Sequence, residues 1–131
     1  MANYVYVDVI IKGDNYNTMR KIGEIIMKYC DKSLKELLDD YEEPEIEGRH
    51  LDHRSHIDGC EIDTINNKIV LRLEQPWNTN VERLYNWAVK TDESIKLLFY
   101  TNYVDDGEYA TNDTAFLEQH PDWYYEDIWG F

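Results

Sequence analysis

Apolar and polar residues alternate strictly over residues 3–12, with Val5, Val7, Val9 and Ile11 on one face and Tyr4, Tyr6, Asp8 and Ile10 on the other. A period of two with one apolar face predicts a strand packed against a core. Beyond a Gly13-Asp14 turn the period lengthens. Met19, Ile22, Ile26 and Tyr29 stand three and four apart, which predicts a helix over residues 15–30. Ser33 and Glu36 stand at capping-box spacing ahead of Leu34, Leu37 and Leu38, and they open a second, short helix. Pro44 and Gly48 then interrupt regularity, so residues 42–59 are expected to form a loop.

The clearest patterning lies in residues 68–112 and the strand before them. Taking Asn66-Asn67 as a two-residue turn sets Ile65 opposite Lys68, Ile62 opposite Leu71 and Cys60 opposite Leu73. Cys60, Ile62, Ile69, Leu71 and Leu73 then point inward, and Glu61 and Arg72 form an outward cross-strand pair. Pro76-Trp77 leads out of this hairpin. Thr79 and Glu82 repeat the capping-box spacing and start a helix with Val81, Leu84, Tyr85 and Ala88 inward. A last hairpin runs from Ile95 to Val104, turns at Asp106-Gly107 and returns through Tyr109 to Asn112.

The element order is βαβ, βαβ and one further strand, with residues 33–59 inserted after the first helix. It predicts an α+β protein: a ferredoxin-like βαββαβ antiparallel sheet with an extra C-terminal strand and two helices on one face. At 131 residues the chain suits a single domain, residues 1–131, with an acidic helix-loop insertion at about 33–59 and an aromatic, acidic tail at about 113–131. The fold name concerns topology alone. Two cysteines cannot hold an iron–sulfur cluster, which takes four ligands, and no cofactor is expected.

The run from IVLRLEQPWN through LLFYTNYVDDGEYATN resembles YubB-like ferredoxin-domain proteins carried on phages and plasmids. Pro76-Trp77 reverses the order of Trp and Pro in that family's pattern, and the family's Trp-Gly-Thr-Lys-Trp segment is absent. The resemblance implies a fold and a mobile-element origin; it carries no defined chemistry.

Charge changes the picture more than any motif. The chain holds 27 acidic and 13 basic residues, a formal net charge of −14. Residues 36–47 contain seven acids and residues 97–131 contain eight, and neither window contains Lys or Arg. Such a surface repels nucleic acid, whose binding rests on cations that meet phosphates. It is steered instead toward a basic protein surface. The chain is similar in character to small acidic phage inhibitors of the anti-CRISPR kind, whose carboxylates stand where phosphates would. That similarity implies a non-enzymatic nucleic-acid mimic, and the partner is expected to be a basic bacterial nucleic-acid-binding protein or complex in the host cytoplasm. The candidate contact residues are Asp39, Asp40, Glu42, Glu43, Glu45 and Glu47 in the insertion. Near the C-terminus they are Asp105, Asp106, Glu108, Asp122, Glu126 and Asp127.

The tail differs from a disordered acidic segment, which would be poor in aromatics. It carries Phe116, Trp123, Tyr124, Tyr125, Trp129 and Phe131 and is expected to be docked. The outer sheet face, showing Tyr4, Tyr6, Val70, Arg72, Leu98 and Tyr100, offers a seat for it.

A second class of function is a metal- or small-ligand-binding module. His50, His53 and His56 fall within seven residues, and clustered imidazoles can bind Zn²⁺ or a similar ion. Their i, i+3, i+6 spacing matches no common zinc motif. Catalysis finds no support: there is no nucleophile elbow, no Gly-rich phosphate loop and no Ser-His-Asp arrangement. The N-terminal run is too short and too interrupted by Asp8 for a signal peptide or a membrane span. Cys30 and Cys60 are therefore expected to be reduced and intracellular.

Overall fold

The computed structural model describes residues 4–41 and 52–128. Strand β1 (Tyr4–Lys12) lies inside the sheet, and its buried Val5, Val7, Val9 and Ile11 alternate with outward residues as the period of two requires. Helix α1 (Tyr16–Lys28) starts at Asn15, whose side chain accepts a hydrogen bond from the Thr18 amide at 3.0 Å. Its buried stripe is Met19, Ile22, Gly23 and Ile26. Gly23 permits a close helix–sheet approach, because a Cβ there would stand 2.7 Å from both Cγ1 and Cδ1 of Ile62.

Helix α2 (Leu34–Tyr41) buries Leu34, Leu37 and Leu38. The chain flanking it is stitched back to the sheet: Leu34 N–H donates to Ser55 O at 2.7 Å and Ile57 N–H donates to Lys32 O at 2.9 Å. A single 3-10 turn, Asp52–Arg54, leads into strand β2 (His56–Asp63). Regular pairing thus begins inside the stretch expected to be loop. Strand β3 (Lys68–Pro76) follows, then helix α3 (Glu82–Thr91) and strand β4 (Lys96–Tyr103). Strand β5 (Glu108–Thr111), helix α4 (Thr114–Gln119) and the short strand β6 (Tyr124–Tyr125) complete the described chain.

The sheet runs β2-β3-β1-β4-β5-β6, antiparallel between neighbours except for β6, which lies parallel to β5. The protein is therefore α+β with a six-stranded mixed sheet. Two strands extend it beyond β4, where one was expected, and α4 is added to the three helices that the sequence predicts, two on the sheet and one in the insertion. The reason lies in the tail, whose residues 113–125 supply both α4 and β6 and convert an antiparallel edge into a mixed one.

Two local expectations also change. The β2–β3 register is two residues away from the expected one: Asp63 faces Lys68, Ile62 faces Ile69 and Cys60 faces Leu71. The connection is a four-residue loop, because the Asp63 carboxylate accepts from the amides of Ile65 and Asn66 and from the Asn66 side chain. A shift of two preserves which side chains point inward, so the core face stands. The Glu61–Arg72 pair does not: Glu61 faces Val70, and Arg72 pairs with Asp8 of β1 at 2.8 Å. Thr79 is no helix cap either. Helix α3 has Val81 at its N-cap with no side-chain cap bond, while Thr79 is buried against Thr101 and Tyr103.

The core lies between the inner sheet face and helices α1, α2 and α3, centred on Phe99, Ile11, Leu71, Leu73 and Leu84. Among the described residues no helix is long and apolar enough to cross a membrane.

Candidate functional site

Beyond β4 the chain wraps the sheet edge. Asp113 caps α4 by accepting from the Phe116 amide at 3.1 Å, and its other oxygen accepts from the Tyr100 hydroxyl at 2.6 Å. Burial pushes the Asp113 carboxyl up, but the Tyr100 hydroxyl and the Phe116 and Ala115 amides outweigh it and hold the group below the ordinary aspartate value. Phe116 and Trp123 then pack on the outer face, with ring centroids 5.1 Å (Phe116) and 6.3 Å (Trp123) from Tyr100; Trp123 also lies 5.0 Å from Tyr109. The aromatic tail is docked there, as its composition suggested, over the β4–β5 half of the face. Tyr4 and Tyr6 on β1 stay 42% exposed. Trp129 and Phe131 lie outside the described residues.

After β6 the tail crosses to the inner side. The Glu126 amide donates to Thr111 O at 3.0 Å, and its carboxylate accepts from the Tyr103 hydroxyl at 2.8 and 2.7 Å. Burial raises the Glu126 pKa above the ordinary glutamate value, and hydrogen bonds from Tyr103 and Thr79 oppose that rise. The Tyr103 phenol is raised as well, chiefly by burial.

Across from Glu126 stands the loop that follows β3. Trp77 has φ +62°, and the Asn78 amide donates to Pro76 O at 2.7 Å, so Trp77 sits at the centre of a strained γ-turn. The buried Gln75 clamps this loop: its amide nitrogen donates to Asn80 O at 2.6 Å and to Ser55 Oγ at 3.1 Å, while its oxygen accepts from the Asn80 amide at 2.8 Å. Trp77 is held 46% exposed.

Between the loop and the tail lies an open cleft of about 380 Å³. Trp77, Tyr103 and Tyr124 form its aromatic walls, and Asp106, Glu126 and Asp127 supply carboxylates. The Tyr103 and Tyr124 rings lie near parallel, 16° apart, with centroids at 6.4 Å. Asp106 reaches the cleft from the β4–β5 turn, where Gly107 takes φ +66° and the Asp106 amide donates to Tyr103 O at 3.1 Å.

The structure thus gathers Asp106, Glu126 and Asp127 at one site, with Asp105 and Glu108 exposed in the adjoining turn and strand and Asp122 exposed before β6. Asp39 and Asp40 lie elsewhere and are engaged. Asp39 pairs with Lys35 and with the buried Arg83 of α3 at 3.4 Å, and Lys35 first, then Arg83, keep its carboxyl below the ordinary aspartate value. Asp40 accepts from Tyr29 at 2.6 Å, a bond that pushes the Tyr29 phenol up to about 12. Glu42, Glu43, Glu45 and Glu47 lie outside the described residues. So does His50. His53 sits in the 3-10 turn and His56 on β2, where its Nε2 is 3.5 Å from Asp58. Among the described residues no three His, Cys, Asp or Glu side chains are placed to hold a metal ion. Cys60 and Cys30 are free thiols, and burial pushes the Cys60 thiol up to about 11, which disfavours the thiolate at neutral pH.

Sequence reasoning missed Trp77, Tyr103 and Tyr124 as wall residues. Pro76-Trp77 after a β run was a visible break, but nothing in it signals a positive φ. No protein-family model, curated protein or solved structure matches this chain.

Proposed function

We propose that this protein works by binding and not by catalysis, setting its acidic end on a basic surface of a bacterial nucleic-acid-binding complex and blocking nucleic acid there, as anti-CRISPR inhibitors do. The observation that carries this reading is that exposed Asp106 and Asp127 meet at one cleft, with exposed Asp105 and Glu108 in the adjoining turn and strand and exposed Asp122 just before β6, in a chain of net charge −14. Carboxylates so placed compete with phosphates for Lys and Arg. The order β2-β3-β1-β4, with antiparallel neighbours and α1 and α3 in the crossovers, supports a ferredoxin-like core. A YubB-like, mobile-element origin and work inside the bacterial host cytoplasm belong to the same proposal and rest on the sequence resemblance.

The test is capture from bacterial lysate at rising salt, followed by competition with nucleic acid. The captured complex should bind nucleic acid, release this protein steeply between about 50 and 500 mM salt, and lose its nucleic-acid binding when this protein is added. Salt-insensitive capture, or a partner that holds both ligands at once, would sink the reading.

A further inference from the structure

We propose that the cleft between the Trp77 loop and the tail is a receptor for an organic cation, a guanidinium or alkylammonium group held by the faces of Trp77 and Tyr124 and by the carboxylates around Glu126. Four features converge on that ligand class. The cleft, at about 380 Å³, has the size of a small-ligand site and room for a cationic head with several methylenes. Its walls are the ring types whose faces attract cations, and three carboxylates exclude anions. The Trp77 ring already engages a cation, with the Arg54 guanidinium 5.9 Å from its centroid. Arg54 does not line the cleft, and neither does any other described Lys or Arg.

The fourth feature is Glu126 itself. It is half-buried, and the groups that donate to it, Tyr103 and Thr79, are neutral hydroxyls. Burial consequently works against its charged form. A cation brought into the cleft supplies what the carboxylate lacks, forming a charge-assisted bond in a partly desolvated place. A metal ion is the poorer occupant, since no three acidic or imidazole side chains among the described residues are placed to chelate one.

The cation has two possible sources: a free small amine, or an Arg or Lys side chain of a protein. The second source rests on the proposed basic partner; the receptor itself does not. Butylguanidinium titrated into the ¹⁵N-labelled protein should shift the Trp77 indole N–H and the Gly107 amide saturably, whereas butylurea, its neutral counterpart, should not. Glu126→Gln and Trp77→Gly should each weaken binding by about tenfold or more, read on Gly107 and by calorimetry. Trp77→Gly keeps the fold accessible, because φ +62° suits glycine. A blocked Arg-containing peptide that binds at least tenfold more tightly than butylguanidinium assigns the site to a protein side chain, and equal affinities assign it to a small amine. Equal shifts with butylurea and butylguanidinium, or unchanged binding by Trp77→Gly, overturn the receptor. Failure of lysate capture with butylguanidinium binding intact overturns the basic-partner reading alone.

Discussion

Tyr103 and Glu126 show how one contact fixes a tail to a sheet. Tyr103 closes β4 with its ring inward, and the carboxylate it meets comes 23 residues later from beyond β6. The position has a pH signature. Glu126 has a folded pKa above its ordinary value, so the folded state holds its proton to higher pH than the unfolded chain does. Its contribution to stability is therefore fully present below the ordinary glutamate value and is lost as pH rises through the raised one. Asp113, Asp39 and Asp63 run the other way, because lowered carboxyls stabilise above the ordinary aspartate value and lose that contribution on acidification. Comparing the native protein with Glu126→Gln cancels those shared groups. Urea denaturation should find the native chain's advantage over Glu126→Gln larger at pH 4 than at pH 7, and a gap independent of pH would refute the assignment. At this scale the sequence revealed the acidic identities of Asp106, Glu126 and Asp127. It did not reveal that Glu126 is half-buried against a phenol, because burial depends on what the chain meets after folding back.

Elements were legible where a single face decides them. β1, α1 and β4 follow their apolar periods, since burying one stripe is what holds each in place. The β2–β3 hairpin kept its inward face but took a register two residues away, because Asp63 closes a four-residue loop and periodicity cannot distinguish shifts of two. Thr79 had the spacing of a cap and became a buried partner of Thr101 and Tyr103 instead, since β4 lies close enough to compete for its hydroxyl. Packing of α1 on β2 yields a further prediction. Gly23→Ala gains about 1 kcal/mol of helix propensity, but its methyl meets Ile62 at 2.7 Å. Overpacking of that kind costs about 1–3 kcal/mol, so the variant should be less stable by roughly 1 kcal/mol. Ile62→Ala removes both clashing atoms, and a double-mutant cycle should show favourable coupling between the two sites. Stability equal to or above the native value in Gly23→Ala alone would contradict the close approach.

For the molecule as a whole, self-repulsion and the proposed attraction of a basic partner draw on the same charge. A net charge of −14 destabilises the compact state, and salt screens it. The melting temperature should therefore rise between about 10 mM and 500 mM NaCl, and capture of the proposed basic partner should weaken over the same range. A melting temperature that falls with salt would mean that ion pairs such as Asp8–Arg72 and Asp39–Arg83 outweigh repulsion.

The sequence by itself determined the class of the fold, the order of its first strands and helices, the inward face of each and the acidic character of the surface. Those are properties of neighbouring residues and of composition, which the chain carries whether folded or not. Tertiary structure alone decided that the tail supplies α4 and a parallel edge strand, and that Asp39 and Asp40 are engaged by Arg83 and Tyr29. It alone placed Trp77, Tyr103 and Tyr124 around the carboxylates of a single cleft. Each of these joins residues distant in the chain, and no local pattern encodes which distant groups will meet.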